Sequence, residues 1–241
     1  SVGTEQSHFY NTASHILDGL TGAYIKPCRT PSAGLSRQWR WSNSDPDLIY
    51  YIVGGETVLR SYVPSTDTFG TVHDFSADGY VSGSLAMYGG DGDASSDDRY
   101  HAFNGSKSGG QWYVAVWDKQ TNTIVGEVPV AGDAALNLAT DAFGLSKSGN
   151  YLWIKCNTAY TFGGSSRPAG VAFFSRDGTY LRSCSAEMGA TNTRSHVDCA
   201  LDSAGNDVWV HFGSVDGVST DRTLNSFRMD GTGNTSSAGI I

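Results

Sequence analysis

The chain has few basic residues for its length. Of 241 residues, 16 are Lys or Arg and 24 are Asp or Glu, so the formal net charge is -8. Nucleic-acid affinity depends on clustered Lys and Arg, so a nucleic-acid partner is not expected. The chain also lacks an apolar run of about 18 residues, so membrane insertion is not expected either. It begins with Ser1, which fits a removed secretion signal or a fragment of a longer chain.

Cysteine is scarce, with four residues at Cys28, Cys156, Cys184 and Cys199. No CxxC pair and no Cys/His spacing typical of zinc sites is present, so zinc is not expected. The low Lys content and the many Gly, Ser and Thr residues favour at least one disulfide over four buried thiols. They also favour an extracellular or periplasmic location. The sequence does not choose among the three complete pairings.

Glycine and aromatic residues are abundant. Gly accounts for 30 residues and aromatics for 12%, while charged residues reach only 17%. Gly supplies positive φ at tight turns and aromatics pack well on pleated surfaces, so this composition suits short strands. No segment has the pattern of an amphipathic helix capped at both ends. The nearest, ALNLATDAFGL from Ala135, is expected to be a loop entering a strand.

One sequence unit recurs along the chain. Its clearest copies are WSNSDPDLIYY from Trp41, FNGSKSGGQWYVAV from Phe103, LSKSGNYLWIKC from Leu145 and LDSAGNDVWVHF from Leu201. Each copy runs from an apolar residue through a polar turn into a strand in which apolar and polar residues alternate. This period of two is typical of a strand with one buried face. A third strand and a second turn follow, as in VLRSYVPSTDT and YVAVWDKQTNT. With a fainter copy from Tyr10, five units start near residues 5, 36, 98, 140 and 196.

These units resemble the broad group of TolB-like and WD40-like β-propellers. The phrases that carry the resemblance are SSDDRYHAF, LSKSGNYLWI, FFSRDGTYL and HVDCALDSAGNDVWV. It implies an all-β fold with 1–241 as a single propeller domain, either five-bladed or part of a six- to seven-bladed propeller. A sandwich would need Greek-key crossovers and a solenoid shorter repeats. Such propellers have many functions, so the fold does not supply one.

The first strands of propeller blades line a central channel, so residues near their starts can converge at one mouth. We align the four clear copies at Trp41, Phe103, Leu145 and Leu201. The residues three to five positions before each of these are then the candidates for the channel mouth. This ring holds Arg37, Gln38, Asp98, Arg99, Tyr100, Asp141, His196 and Asp198, with Arg194 just outside and Trp39 nearby; the faint first unit adds Glu5, Gln6 and Ser7. Trp39 and Tyr100 are candidates for stacking on a sugar.

Three functions compete for this ring. The leading hypothesis is an extracellular propeller that binds a carbohydrate or another surface ligand, such as a surface protein. The second is a lyase acting on uronic-acid polysaccharides, in which His196 and Tyr100 act as base and acid while Arg99, Arg37 or Arg194 neutralises the enolate. The third is a structural or assembly module, in which Asp and Arg tie adjacent blades together.

Two further segments are candidates for ligand contact. The stretch GGDGDASSDD from Gly89 carries Asp91, Asp93 and Asp97, and such oxygen-rich loops can bind calcium. Calcium is the only cofactor that the sequence suggests. The stretch lacks the Glu of an EF-hand, so a solvated acidic loop is the competing interpretation. Residues 157–170 form a long polar loop that offers Tyr160, Phe162 and Arg167 for ligand contact.

Overall fold

The computed structural model describes most of the chain between residues 14 and 237. The described residues are 14–17, 21–28, 36–53, 55–82, 85, 87, 94–130, 143–156, 160–162, 165–167, 170–185, 197–212, 214–215, 224–230 and 235–237. Within these stretches the secondary structure is 20 β-strands and a single 3-10 turn, Phe75–Asp78. No helix in this part of the chain is long and apolar enough to cross a membrane.

The strands, numbered in chain order, form five successive antiparallel sheets. Sheet 1 is a hairpin of β1 (Ser14–Leu17) and β2 (Tyr24–Cys28). Sheet 2 has the order β3 (Ser36–Trp41), β4 (Ile49–Val53), β5 (Val58–Val63) and β6 (Thr68–Asp74). Sheet 3 has the order β7 (Tyr100–Ser106), β8 (Trp112–Asp118) and β9 (Thr123–Val130).

Sheets 4 and 5 repeat this meander. Sheet 4 has the order β10 (Phe143–Leu145), β11 (Tyr151–Cys156), β14 (Gly170–Ser175) and β15 (Tyr180–Ser185). Sheet 5 has the order β16 (Val197–Leu201), β17 (Asp207–Phe212), β19 (Leu224–Phe227) and β20 (Thr235–Ser237). Between β17 and β19, the short strand β18 (Ser214–Val215) adds to the edge of sheet 4. A separate hairpin of β12 (Tyr160–Phe162) and β13 (Ser165–Arg167) lies between β11 and β14.

The all-β prediction is confirmed, and the five sheets are roughly consistent with the five predicted units. The end of the ALNLATDAFGL segment is a strand, as expected, since Phe143 begins β10. The earlier residues of this segment lie outside the described residues. Whether 1–241 is one domain stays a prediction.

Hydrophobic packing occurs between sheets. Phe103 and Trp117 of sheet 3 lie in a cluster with Phe75 beside sheet 2, while Val114 and Val116 of the same sheet pack with sheet 4. Alternate residues of a strand point to opposite faces, so sheet 3 buries both faces. A third cluster joins sheets 4 and 5 through Trp153, Phe173, Trp209 and Phe227. Sheets 2 to 5 therefore stack side by side, each packed against the next.

The hairpin turns show which strands correspond from sheet to sheet. In the turn after β10, Ser146 N–H donates to Tyr151 O at 2.8 Å and Gly149 N–H to Ser146 O at 2.9 Å. Before β7, Ser95 N–H donates to Tyr100 O and Asp98 N–H to Ser95 O, both at 3.0 Å. Asp98 and Gly149 both have positive φ, 56° and 74°. The turn before β7 is therefore the counterpart of the turn after β10.

The alignment of Phe103 with Leu145 is wrong for this reason. Phe103 lies on β7, which follows the turn and is the second strand of its unit. The first-strand position belongs to the segment before the turn: Ala94 forms an isolated bridge with His101, and Tyr80 forms one with Lys107. Asp98, Arg99 and Tyr100 thus lie at the turn between first and second strands, not at the start of a first strand.

Two of the four cysteines are free thiols. Cys156 and Cys199 are buried and unbridged. Burial raises the pKa of the Cys156 thiol to about 12. These two residues therefore do not form the expected disulfide, for which no pairing was predicted. For Cys28 and Cys184, whose side chains lie outside the described ones, it stays a prediction.

Candidate functional site

The antiparallel meander gives the stacked sheets two different faces. We call one the turn face, which carries the turns from first to second and from third to fourth strands. The other, the loop face, carries the connections from second to third strands and from each fourth strand to the next sheet. Connections on the turn face are short, such as Ser146–Asn150 and Arg176–Thr179. The connections of residues 157–169 and 213–223 lie on the loop face.

Asp98 lies at a buried polar junction on the turn face, between sheets 2 and 3. Its Oδ1 accepts from Arg40 Nη2 at 2.6 Å, and its Oδ2 accepts from the Ser42 hydroxyl and from Ser44 N and Oγ at 3.2 and 3.0 Å. The side chains of Arg40 and Asp98 are 1% and 0% exposed. Burial by itself would raise the pKa of Asp98, but the Arg40 guanidinium and the Ser42 hydrogen bond hold it well below its usual range.

His101 completes this junction. Its Nε2 lies 2.9 Å from Asp98 O, and its Nδ1 lies 3.4 Å from Arg40 Nη2. Tyr50 packs against it edge-on, with ring centroids 5.0 Å apart. Burial and the Arg40 charge both lower the pKa of His101. The arrangement suits a neutral imidazole that donates from Nε2 and accepts at Nδ1.

This neutral imidazole predicts an acid-sensitive stability. The unfolded chain takes up a proton at this position below about pH 6.5, whereas the folded protein does not until its lower pKa is reached. Stability is therefore lost as pH falls below about 6.5, with a slope approaching about 1.4 kcal/mol per pH unit from this residue. Asp98 also stabilises the folded protein, because its pKa is lower in the folded protein than in the unfolded chain. This stabilisation is fully present above about pH 3.9 and is lost as pH falls below that value.

The measurement is urea unfolding of wild type and His101→Gln at pH 7.5 and pH 5.0. We expect the variant to be less stable than wild type at pH 7.5 and to lose less stability between the two pH values. An equal loss in both proteins would show that His101 is not the titrating group.

A related junction joins sheets 4 and 5. Ser148, which occupies in its turn the position of Ser44, donates from N to Asp207 Oδ1 at 3.0 Å and from its hydroxyl to Asp207 Oδ2. Asp207 is buried and begins β17. In both cases a serine of one sheet's first turn donates twice to a carboxylate of the next sheet. Asp98 and Asp207 therefore tie adjacent sheets together, the role that the third hypothesis gives to such residues.

Arg99 and Tyr100 are also engaged by neighbouring residues. Arg99 Nε lies 3.1 Å from Asp118 Oδ1 and its Nη2 lies 2.8 Å from Asp118 Oδ2, a two-pronged ion pair. The hydrogen bonds from Arg99 lower the pKa of Asp118. Tyr100 is buried beneath two guanidinium groups, with Arg99 and Arg176 at 4.8 and 4.0 Å from its ring centroid. Both residues are on the turn face, away from the first-strand starts where His196 is predicted to lie.

Part of the predicted ring remains on first strands. Asp198 is exposed, near the start of β16. Arg37, Gln38 and Trp39 lie in the first half of β3, but only their backbone is described. Three ring residues fall outside the described residues: Asp141, Arg194 and His196. The roles of these seven residues stay predictions.

The acidic stretch is described only at its end. Asp91 and Asp93 lie outside the described residues. Asp97 accepts from the Ser95 hydroxyl at 2.5 Å and from Arg99 N at 3.0 Å, so its carboxylate caps the turn. No group of three metal-ligating side chains is found in the described ranges. The calcium prediction therefore stays untested, since Asp91 and Asp93 are not described.

A groove that runs from the loop face, at Asp78 and Lys107, along the first half of β9 was missed by the sequence reasoning. It is a cavity of about 320 Å³ between sheets 2 and 3, lined by Asp78, Lys107 and residues 124–127. Asp78 ends the 3-10 turn that follows β6, and Lys107 follows β7. Three separate stretches of the chain line the groove. No contiguous motif reveals it, and a β-bulge at Val125 is visible only in the pairing of β8 with β9.

Comparisons with solved structures bear on the fold. The Dos1 propeller superposes with a TM-score of 0.52 at 10% sequence identity, covering 95% of this chain and 55% of that one. The chain is a β-propeller. The resemblance to the broad TolB-like and WD40-like group is thus confirmed at the level of the fold.

Two other propellers match less closely. The Neurospora crassa Pan2 WD40 domain gives a TM-score of 0.49 at 12% identity, covering 93% of this chain and 59% of that one. An oligogalacturonate lyase in complex with manganese gives 0.49 at 14% identity, covering 92% and 57%. The chain thus spans between 55% and 59% of the length of these three structures. No family model and no curated protein sequence matches it.

Proposed function

We propose that this β-propeller is an extracellular recognition module that binds carbohydrate through its loop face. The observation that carries the proposal is the contrast between the two faces. On the turn face, buried carboxylates fasten one sheet to the next at Asp98 and Asp207. On the loop face lie the long connections, and the groove between sheets 2 and 3 reaches this face at Asp78 and Lys107. Binding residues are commonly carried on loops that a rigid scaffold positions.

The connection between β11 and β14 supports the proposal. It forms its own hairpin, in which Tyr160 pairs with Arg167 and Phe162 with Ser165. Phe162 packs edge-on against Phe174 with ring centroids 5.0 Å apart, which anchors the hairpin on sheet 4. Thr161, Ser165 and Ser166 are exposed. These hydroxyls provide donors and acceptors that match the hydroxyls of a glycan.

The uronic-acid lyase hypothesis receives less support. It requires Tyr100 and Arg99 beside His196 at one mouth. Tyr100 is 7% exposed and lies on the turn face, where Arg99 is paired with Asp118. A base and an acid at opposite ends of the strands would not reach the same substrate atom. We therefore propose binding rather than elimination.

The test is a glycan array with wild type and two loop-face variants. One variant replaces residues 157–169 with Asn-Gly, since Cys156 and Gly170 are paired and suit a two-residue turn. The other, Thr161→Ala with Ser165→Ala and Ser166→Ala, leaves the Phe162 anchor in place. The control is Gln120→Ala with Thr121→Ala, on the turn face.

We expect binding to at least one glycan class by wild type and the control, and weaker binding by at least one loop-face variant. An array without any bound glycan, or binding that only the turn-face control reduces, would overturn the proposal.

A further inference from the structure

Polar side chains that contact one another line one wall of the groove between sheets 2 and 3. Glu127 Oε1 accepts from Tyr80 OH at 2.7 Å and lies 2.6 Å from Lys107 Nζ. Lys107 Nζ lies 5.1 and 5.3 Å from the ring centroids of Tyr80 and Tyr113. Burial and the Glu127 carboxylate raise the pKa of Tyr80, so the phenol stays protonated as the donor. Both the lysine and the glutamate are thereby held in place at the groove.

Each acidic residue of the groove retains an acceptor oxygen. Asp78 Oδ2 lies 2.6 Å from His73 Nε2, and both contacts to Glu127 involve its Oε1. Among the described residues, Asp78 Oδ1 and Glu127 Oε2 have no hydrogen-bond donor. The side chains of Asp78 and Glu127 are 23% and 26% exposed and line the groove, so neither carboxylate is sealed from solvent.

One strand that lines the groove, β9, contains a β-bulge. Trp117 pairs with Ile124 and Val116 with Gly126, which leaves Val125 as an extra residue in a β-bulge. Bulges bend a strand and redirect its side chains, and they are enriched near functional sites. The cavity of about 320 Å³ is at the lower end of the range of about 300–1,000 Å³ for small-ligand sites. It therefore suits one small cyclic molecule.

The charges around the groove narrow the ligand class. Two carboxylates and one ammonium line it, so an anionic ligand meets a net negative wall. A cationic ligand would compete with Lys107, which already occupies the space over both tyrosine rings. A neutral ligand rich in hydroxyls avoids both penalties, because its hydroxyls can donate to carboxylates and accept from the ammonium.

We infer that this groove is a subsite for one neutral pyranose unit. Its hydroxyls donate to Glu127 Oε2 and Asp78 Oδ1, and Lys107 donates to a further sugar oxygen. The inference rests on the proposed carbohydrate function and specifies where on the loop face one sugar is held. It also gives the site a preference for neutral sugars over uronic acids, since carboxylates repel one another.

The experiment is saturation-transfer NMR, followed by titration, with methyl pyranosides of glucose, galactose, mannose, N-acetylglucosamine and glucuronic acid. The variants are Glu127→Ala and Asp78→Ala. Glu56→Ala is the matched control, since Glu56 is about as exposed and pairs with Arg60 away from the groove. Thermal unfolding of each variant shows that it is folded. Asp78→Ala keeps the test usable if losing Glu127 unfolds the protein.

We expect at least one neutral pyranoside to bind, and its affinity to fall about tenfold or more in each groove variant, because each loses a charge-assisted hydrogen bond. The control should bind as wild type does, and the glucuronide more weakly than the glucoside. No binding of any neutral pyranoside, unchanged binding in both variants, or tighter binding of the glucuronide would overturn the subsite.

The two proposals fail differently. A positive glycan array together with unaltered binding by Glu127→Ala and Asp78→Ala would remove the groove and leave recognition elsewhere on the loop face. An empty array would remove the carbohydrate function itself.

Discussion

Asp98→Ala is expected to lower the free energy of unfolding by about 3–5 kcal/mol, the cost of removing one partner of a buried ion pair. Asp98 accepts from Arg40 at 2.6 Å, and Arg40 is nearly inaccessible to solvent. Within the described residues, Arg40 Nε and Nη1 have no hydrogen-bond partner even in the wild type. Loss of the carboxylate therefore leaves a buried guanidinium without a compensating charge. Urea or guanidinium unfolding at pH 7 measures the loss.

Two further variants separate charge from backbone strain. Asp98 has a φ of 56°, a conformation that Asn tolerates better than Ala. Asp98→Asn should therefore lose the charge effect without the added strain and be intermediate in stability. Asp45→Ala changes an exposed carboxylate in the turn that contacts Asp98, and we expect a change within about 0.5 kcal/mol. Equal effects of Asp98→Ala and Asp45→Ala would show that the junction does not stabilise the fold.

The coupling between the two charges can be measured directly. Arg40→Met combined with Asp98→Asn removes both charges and so leaves neither buried alone. The double variant should lose less stability than the sum of the two single losses, as expected for residues in contact. Strict additivity would show that the 2.6 Å contact contributes no net interaction.

The turn chemistry explains why much of the fold was predictable from sequence. Ser42, Ser95 and Ser146 each begin a turn with a hydroxyl that accepts from backbone N–H groups further along, and the Asp202 carboxylate does the same in sheet 5. Ser and Asp form such turns locally, without help from distant residues. The motif therefore recurs in the sequence wherever the first hairpin recurs. Alternating strands follow each turn, so the all-β repeat was visible.

Sheet 3 was misaligned because two different turns share the same letters. Ser106-Lys107-Ser108-Gly109 follows its second strand, and Ser146-Lys147-Ser148-Gly149 follows the first strand of sheet 4. The true first-strand segment before Ser95 is rich in Gly and lacks alternation, so it carried no periodic signal. The turn from third to fourth strand was aligned correctly, because Lys119–Asn122 matches Pro64–Asp67 after a third strand. That match requires another strand before Tyr100.

The candidate site was less predictable than the fold. Asp98 was selected as a polar residue near a strand, yet its partners Arg40 and Ser44 are more than 50 positions away along the chain. Sequence alone does not reveal which carboxylate is buried beside which guanidinium. The groove residues Asp78, Lys107 and Glu127 are separated in the same way, and only sheet packing brings them to one cavity.

Sheet packing also explains the expected effect of Gly126→Ala, a loss of about 3 kcal/mol, at the upper end of the range for overpacking. A Cβ at Gly126 would lie 2.0 Å from Arg176 O and 2.8 Å from the carbonyl carbon of Asp177. Both atoms belong to the backbone of the turn between β14 and β15, so no side-chain rotation relieves the clash. Sheet 3 and sheet 4 would have to separate.

Gly70→Ala is the matched control. Gly70 lies on β6, the last strand of sheet 2, as Gly126 lies on β9, the last strand of sheet 3. A Cβ there would lie 2.8 Å from Ser61 Oγ, the end of a side chain that can rotate away. We expect a change below about 1 kcal/mol, since only a rotamer is altered. Similar losses in the two variants, measured by thermal or urea unfolding, would contradict the close contact between β9 and the turn of sheet 4. A much larger loss in Gly126→Ala would show that backbone contact between neighbouring sheets limits how far this propeller can adjust.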